Sequence, residues 1–574
     1  MPPSMRVETI QTDVLVVGGG GAASRAALSA AQAGAKVRMA CKAPLLQGGS
    51  TVHGASEIMS MGAAAGFGDP NDSPEIHYQD TMRAAEGFID PELVRVLASD
   101  APERIRDLLD MGLKPDQTID GNVKLIQSDF GSYARCVGVS GKTGKAFVTA
   151  MARELQRMGV MVDTPMSLVD IVRDNEGSIA GAVCLDTERQ LLVHYQASSV
   201  ILGTGGMHGV FSQQVSTPEM TGDGQAICYR HGAELVNLEF HQFGPALVHP
   251  YIQLFSKSCF VLYPTIRNAN GDLFLSRYLP DGVSAEEVMD EKVFPFTTSN
   301  VSRYLDIAIA HEINEGRGGE HGGVYFTFEG VPESKIEATI PNTVRWMRSK
   351  GVNPLTDRFE VGIAFQCMNG GVRMVNTQAE SSITGLYVIG EVAGGVRGPD
   401  RPGGNSLAEG QVFGHRAGTA AAERSKKDDR PSSDKTTFNE TLNFVNAILE
   451  RGQPQFDMNE AEHLLRETMQ TYCLVEKDEP GLKKALSIAE GIAQQIDSGL
   501  AATPSTLSRA LSLRNMVDAS SLVLKACIQR KETRSGHFRT DFPVTDDAHY
   551  QGAFIWKKAP EGLRSWQYTY AMAE

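Results

Sequence analysis

Short, wholly apolar runs alternate with amphipathic segments along most of the chain. Val14 to Val17 is an unbroken apolar stretch, the pattern of a strand buried on both faces. An Ala-rich helix from Ala22 to Ala33, closed by Gly34, and a strand from Lys36 to Ala40 follow. Between 72 and 113, Leu93, Val94, Leu97 and Ala98, then Ile105, Leu108 and Leu109, keep helical spacing. Asp72 or Ser73 caps the first of these helices, and Asp90, before Pro91, caps the second. Residues 141–162 read as a Gly-rich turn, a helix and a strand. Residues 167–203 read as strands, broken by a turn at Asn175-Glu176-Gly177 and ending in the apolar run Ser199 to Leu202. A helix is predicted from Gln225 to His231, a strand from Leu386 to Ile389, and a further helix capped by Asn405 or Ser406. Residues 424–437 read as a polar linker. Helices are expected at 438–451, 459–473, 480–498 and 504–530, and an irregular aromatic tail from Thr533.

Glycines punctuate the apolar runs in a way that carries chemistry. Gly18 and Gly20 follow the first strand, with Ala23 where a dinucleotide fingerprint allows Gly or Ala. Such glycines let the backbone approach a pyrophosphate at a helix N-terminus, where free N–H groups and the helix dipole favour anions. Gly203, Gly205 and Gly206 repeat the motif after the strand ending at Leu202, a second nucleotide contact. Asp223, in Thr221-Gly222-Asp223-Gly224, either caps its helix or binds a hydroxyl. Cys41 and Lys42 stand where a ribose-binding acid commonly ends the second strand of an NAD site. From about Phe243 to Arg358 the glycine pattern fades, which marks an inserted domain.

Composition narrows the partners. The 574 residues are 41% hydrophobic with 58 glycines, enough for two to four α/β domains. A net charge of −15 argues against nucleic acid or an anionic membrane. No apolar run is long enough to span a bilayer, and the first residues lack a signal peptide's apolar core. The 8 cysteines form no CxxC pair, so no resident metal or cluster is expected, and a cytoplasmic location is.

The motifs together resemble the flavoprotein subunit of the succinate dehydrogenase and fumarate reductase family, which includes L-aspartate oxidase. They are GGGGAA, the Cys41-Lys42 pair, GGST, DAPERIRDLLDMGL, KTGKAF, LGTGG, TGDG, EFHQFGP, LYVIGEVAGG, RPGGNSLAEGQVFG, SLRNMVDAS and RKETRSGHFRTDFP. The resemblance implies an α/β fold. A Rossmann-like FAD-binding domain (1–243 and 359–425) carries an inserted α+β capping domain (244–358), a C-terminal helical domain (438–545) and a tail (546–574). It implies FAD, with Gly18, Gly20, Gly21, Ala22 and Gly205 near the pyrophosphate and Lys42 near the ribose. Ser50 and Thr51 fall near the isoalloxazine, Asp223 and Glu391 at hydroxyls, and Asn405, Ser406 and Leu407 at the polar edge of the ring. Membrane-bound members tether FAD through a His; Ser50 stands there, so FAD is expected to be non-covalent, with His53 three residues away. An iron–sulfur or other electron-acceptor partner is also implied.

The substrate positions depart from the family. Gly244 stands in place of one His and Gln366 in place of the other. The family's Thr-Glu pair falls on Cys259 to Tyr263, which has neither. Arg401 is retained, and Arg303 meets the proton-shuttling Arg only with a one-residue shift. One guanidinium can hold a carboxylate through two parallel hydrogen bonds. One carboxylate rather than two is therefore expected, on a larger, cyclic substrate such as 4-oxocyclohexanecarboxylate, with Phe260, Leu262 and Tyr263 as apolar wall. Tyr263 or Tyr304 either exchanges the proton or merely packs. An ordinary fumarate reductase or succinate dehydrogenase subunit is the alternative.

Overall fold

A computed structural model of the chain describes residues 5–427 and 435–570. The central sheet contains β1 (Val14–Val17), β2 (Val37–Ala40), β3 (Met161–Asp163), β4 (Ser199–Leu202) and β5 (Leu386–Val388), in the order β5-β4-β1-β2-β3. Every neighbouring pair is parallel. All residues of β1 and β4 are buried, as strands sandwiched between two layers must be. The strand order reverses between β1 and β4, and in such sheets ligands bind at that crevice. There the backbones nearly touch: a Cβ on Gly18, whose φ is +125°, would lie 2.2 Å from the Gly203 oxygen.

Helix α1 (Gly21–Gln32) follows β1 directly and packs against the long helix α2 (Asn405–Lys427). Gly410, Gly414 and Gly418 make this close approach possible at a spacing of one helical turn. A Cβ on Gly414 would sit 2.7 Å from the Ala22 oxygen, and one on Gly418 2.3 Å from the Ala26 oxygen. A second, four-stranded sheet joins Val7–Gln11, Leu191–Gln196, Ile179–Asp186 and Met166–Arg173. The two helices expected within 72–113 are Pro74–Ala85, capped by Ser73, and Pro91–Asp110, capped by Asp90. Asp72 instead pairs with Arg135.

His241–His249 and Phe359–Met368, at the two ends of the insertion, pair antiparallel with each other. Thr265–Arg267, Val324–Thr327 and Gln253–Leu254 complete that sheet, over a core containing Phe243, Phe255, Phe326 and Phe359. The C-terminal helices are α3 (Lys435–Arg451), α4 (Met458–Cys473), α5 (Glu479–Gly499) and α6 (Leu507–Gln529). Two predictions need correction. Of the expected linker, 424–427 ends α2 and 435–437 begins α3, while 428–434 lie outside the described residues. The tail is not irregular: Ala553–Ala559 and Gly562–Tyr568 form a hairpin that adds to Leu235–Val236. Its apolar run Ala553 to Trp556 is buried against that partner, so no alternation shows in the sequence. No helix among the described residues is long and apolar enough to cross a bilayer.

Candidate active site

Two cavities adjoin above the C-terminal ends of β1 and β4. The first, about 890 Å³, is lined by Gly18 to Ala22, Lys42, Gly203 to Gly205, Asp223 and Glu391. Ser50, Thr51, Gly21, Ala22, Gly390 and Glu391 also line the second, of about 1440 Å³, so the two form one elongated space. The first cavity fits an extended dinucleotide. Gly20, at the N-cap of α1, has no side chain to cap the helix, whose N-terminus adjoins this cavity. The buried Thr204 hydroxyl on the same wall has no partner among the described residues. Thr51 Oγ1 accepts the Gly21 N–H at 3.2 Å, which draws the Ser50–His53 turn over the glycines.

Lys42 and Asp223 are brought together at 3.0 Å. Asp223 begins its helix but does not cap it. Its Oδ1 accepts from Thr221 Oγ1 at 2.9 Å and from Asn515 Nδ2 at 2.8 Å. Lys42 also donates to Ser512 Oγ at 3.0 Å. Both Ser512 and Asn515 lie on α6, so the C-terminal helical region braces Lys42 and Asp223, which line the first cavity. Sequence reasoning misses both, because SLRNMVDAS reads there only as part of a helical tail.

The second cavity holds Arg401, Gln366, Ser406 and Leu407. Arg401 is 6% exposed, and Nη2 and Nε donate to Gln242 Oε1 at 2.8 and 3.2 Å. No carboxylate forms an ion pair with Arg401 among the described residues. Arg397, on the same wall, is committed instead to Glu409 at 3.0 Å and to the carbonyls of Met368, Gly390 and Ala393. Burial outweighs that pairing and pushes Glu409 up to about 7. Val215, Ile252, Leu254, Phe294 and Pro295 contribute apolar surface to the same cavity. His53 is the cavity's only imidazole among the described residues; it is exposed, and Nε2 lies 2.9 Å from the Gln47 carbonyl.

Several expected residues are not on this wall. Tyr263 is 44% exposed at the surface and donates to Asp290. Arg303 donates to the Thr298 carbonyl and, at 3.1 Å, to Tyr304 Oη, so those two side chains satisfy each other outside the cavity lining. Phe260 and Leu262 belong to the core of the inserted domain. Asn405 is turned inward, with Oδ1 2.8 Å from His77 Nε2 and Nδ2 donating to Thr81 Oγ1 at 2.9 Å. Gly244 binds nothing directly: a Cβ there would lie 2.2 Å from the Phe294 ring. The space freed by a missing side chain is thus filled by Phe294, not left open.

Gln242, Phe294 and Asp129 were not legible as site residues. Asp129 lines the second cavity from an irregular loop, and burial raises its carboxyl above the usual aspartate range. Spacing gives no signal for a residue on such a loop.

Residues 13–407 match a family model described as an FAD binding domain, and residues 462–571 match the fumarate reductase flavoprotein C-terminal family. A fumarate reductase (CoM/CoB) chain from Methanothermobacter marburgensis is 32% identical over 557 residues, spanning 94% of this chain and 96% of that protein. The fumarate reductase flavoprotein subunit of Mycobacterium tuberculosis is 27% identical, covering 94% of each chain. A solved structure of Mycobacterium smegmatis Sdh1 in complex with UQ1 superimposes with a TM-score of 0.84 at 26% identity, over 99% of this chain and 95% of that one.

Proposed function

Because the chain belongs to the succinate dehydrogenase and fumarate reductase flavoprotein family, and is thus an FAD-dependent oxidoreductase acting on CH–CH bonds, we propose that its substrate carries one carboxylate on an apolar, cyclic body. Desaturation of a ring keto acid such as 4-oxocyclohexanecarboxylate is the concrete form. The observation that carries this reading is the buried Arg401, which forms no ion pair with a carboxylate among the described residues and lines one cavity with Leu254, Phe294 and Pro295. FAD supplies the hydride chemistry at the adjoining glycine-lined cavity. Gln242 and the Pro402 carbonyl, which accepts from Nη1 at 3.1 Å, fix the plane of the Arg401 guanidinium and leave one N–H on each of Nη1 and Nη2 for a carboxylate. The buried Leu254, Phe294 and Pro295 exclude water from the ring and so strengthen that pairing. The clamp orients the carbon next to the carbonyl or carboxylate.

Anaerobic mixing with cyclic and acyclic mono- and dicarboxylates, followed through the flavin absorbance, tests this. Cyclic monocarboxylates should change the spectrum, and Arg401→Ala should slow that change by about two orders of magnitude, the scale of a lost charge-assisted pair, with FAD content unchanged. Efficient succinate or fumarate turnover would refute it. The names of the relatives favour a second reading, a fumarate reductase flavoprotein subunit, which would draw its electrons from an iron–sulfur partner. Co-purification of a cluster-bearing protein together with fumarate turnover would establish that one.

A further inference from the structure

We propose that Asp129 is the group that moves the proton in this reaction, an inference that rests on the proposed function. With Arg303, Tyr263 and Tyr304 outside the cavity lining, the side chains there that can exchange a proton are few. Glu409 is ion-paired with Arg397 at 3.0 Å. Glu391 accepts the Met368 N–H at 3.0 Å and stands at the junction with the glycine-lined cavity. The Cys367 thiol faces Gln242 Oε1 at 3.3 Å and is pushed up to about 11 by burial. His53 is engaged by the Gln47 carbonyl. Asp129 remains.

Its placement fits the task. The Asp129 carbonyl accepts the Gly403 N–H at 3.4 Å, which fixes the loop two residues from Arg401. Burial has the largest effect on its carboxyl, and Lys292, Lys257, the Phe294 N–H and its own backbone N–H oppose it. Lys292 is held by Asp306 at 2.8 Å, so it does not neutralise Asp129 outright. The next residues of the loop, Phe130 and Gly131, line a separate cavity with Arg83, Glu86 and Asp400. Arg83 and Glu86 are exposed, so that cavity opens to solvent.

In the desaturating direction the C–H bond next to the carbonyl or carboxylate breaks and its proton bonds to the Asp129 carboxylate. The electron pair left behind becomes the C=C bond as the neighbouring carbon gives up a hydride, two electrons and one proton, which FAD would accept when bound in the glycine-lined cavity. Asp129 then releases its proton to water; reduction reverses each transfer.

The test uses the holoenzyme with whichever carboxylate of the panel changes the wild-type flavin spectrum. Asp129→Asn should lower turnover by roughly 10²- to 10⁴-fold, the range of general acid–base catalysis, with KM and FAD content little changed, and Asp129→Glu should restore part of it. Desaturation by the wild type should fall as pH drops through the Asp129 pKa, and Asp129→Asn should lack that limb. Independently of turnover, the infrared difference between wild type and Asp129→Asn should contain a protonated-carboxyl band titrating above the ordinary aspartate value of about 3.9. Wild-type rates in Asp129→Asn, or no such band, would overturn the assignment while leaving the proposed function standing. A wild type that reacts with no member of the panel would sink both.

Discussion

Asp400, next to Arg401, shows how far burial alone moves a side chain's chemistry. Its Oδ2 accepts from Ser535 Oγ at 2.8 Å and Thr297 Oγ1 at 3.0 Å, and its buried Oδ1 has no partner among the described residues. Burial is the main cause that pushes it up to about 7, Glu86 adds to this, and the two hydroxyls and Arg401 oppose it. A carboxyl raised in the folded state stabilises fully below the unfolded value of about 3.9 and loses that contribution as pH rises through about 7. Asp400→Asn should therefore gain on the wild type between pH 4 and 8, by up to something on the order of 4 kcal/mol. Urea unfolding at the two pH values measures the difference, and a constant gap would show the carboxyl is ionised throughout. Gly244 teaches a related lesson. Its lack of a side chain was visible in the sequence, but the ring that occupies the gap comes from Phe294, fifty residues on.

At the scale of elements, local signals served well where the chain closes on itself over short distances. Ser73, Asp90, Asp457 and Asp478 each accept a backbone N–H at the start of their helices. The register of α2 on α1 has another basis, since Gly410, Gly414 and Gly418 matter only for what lies across from them. Gly414→Val should destabilise by about 1–3 kcal/mol through overpacking, read as a lower Tm. Because α2 begins with the cavity residues Ser406 and Leu407, the variant should also retain less FAD. An unchanged Tm would mean the two helices can part without cost. Arg303 and Tyr304 lie at the start of the helix Arg303–Glu312, yet they turn toward each other and Thr298. The family resemblance pointed to this region and could not give the facing of its side chains.

Across the whole molecule, the first cavity draws on residues almost 500 positions apart in the chain, from Gly18 to the Asn515 that braces Asp223. Asn515→Ala would leave Asp223 Oδ1 short of a donor. FAD affinity should then weaken by about 1–3 kcal/mol, roughly 5- to 150-fold, in a titration of the apoprotein; an unaltered Kd would detach α6 from the site. The sequence by itself determined the sheet strands, the glycine cradle, the helix starts and the family, because apolar period, turn chemistry and capping act between near neighbours. Which polar side chains reach the reaction cavity became visible only once the chain was folded. Arg401 faces it and Arg303 does not, and Asp129 enters from an irregular loop. Facing depends on how distant segments pack, and no local free energy encodes it.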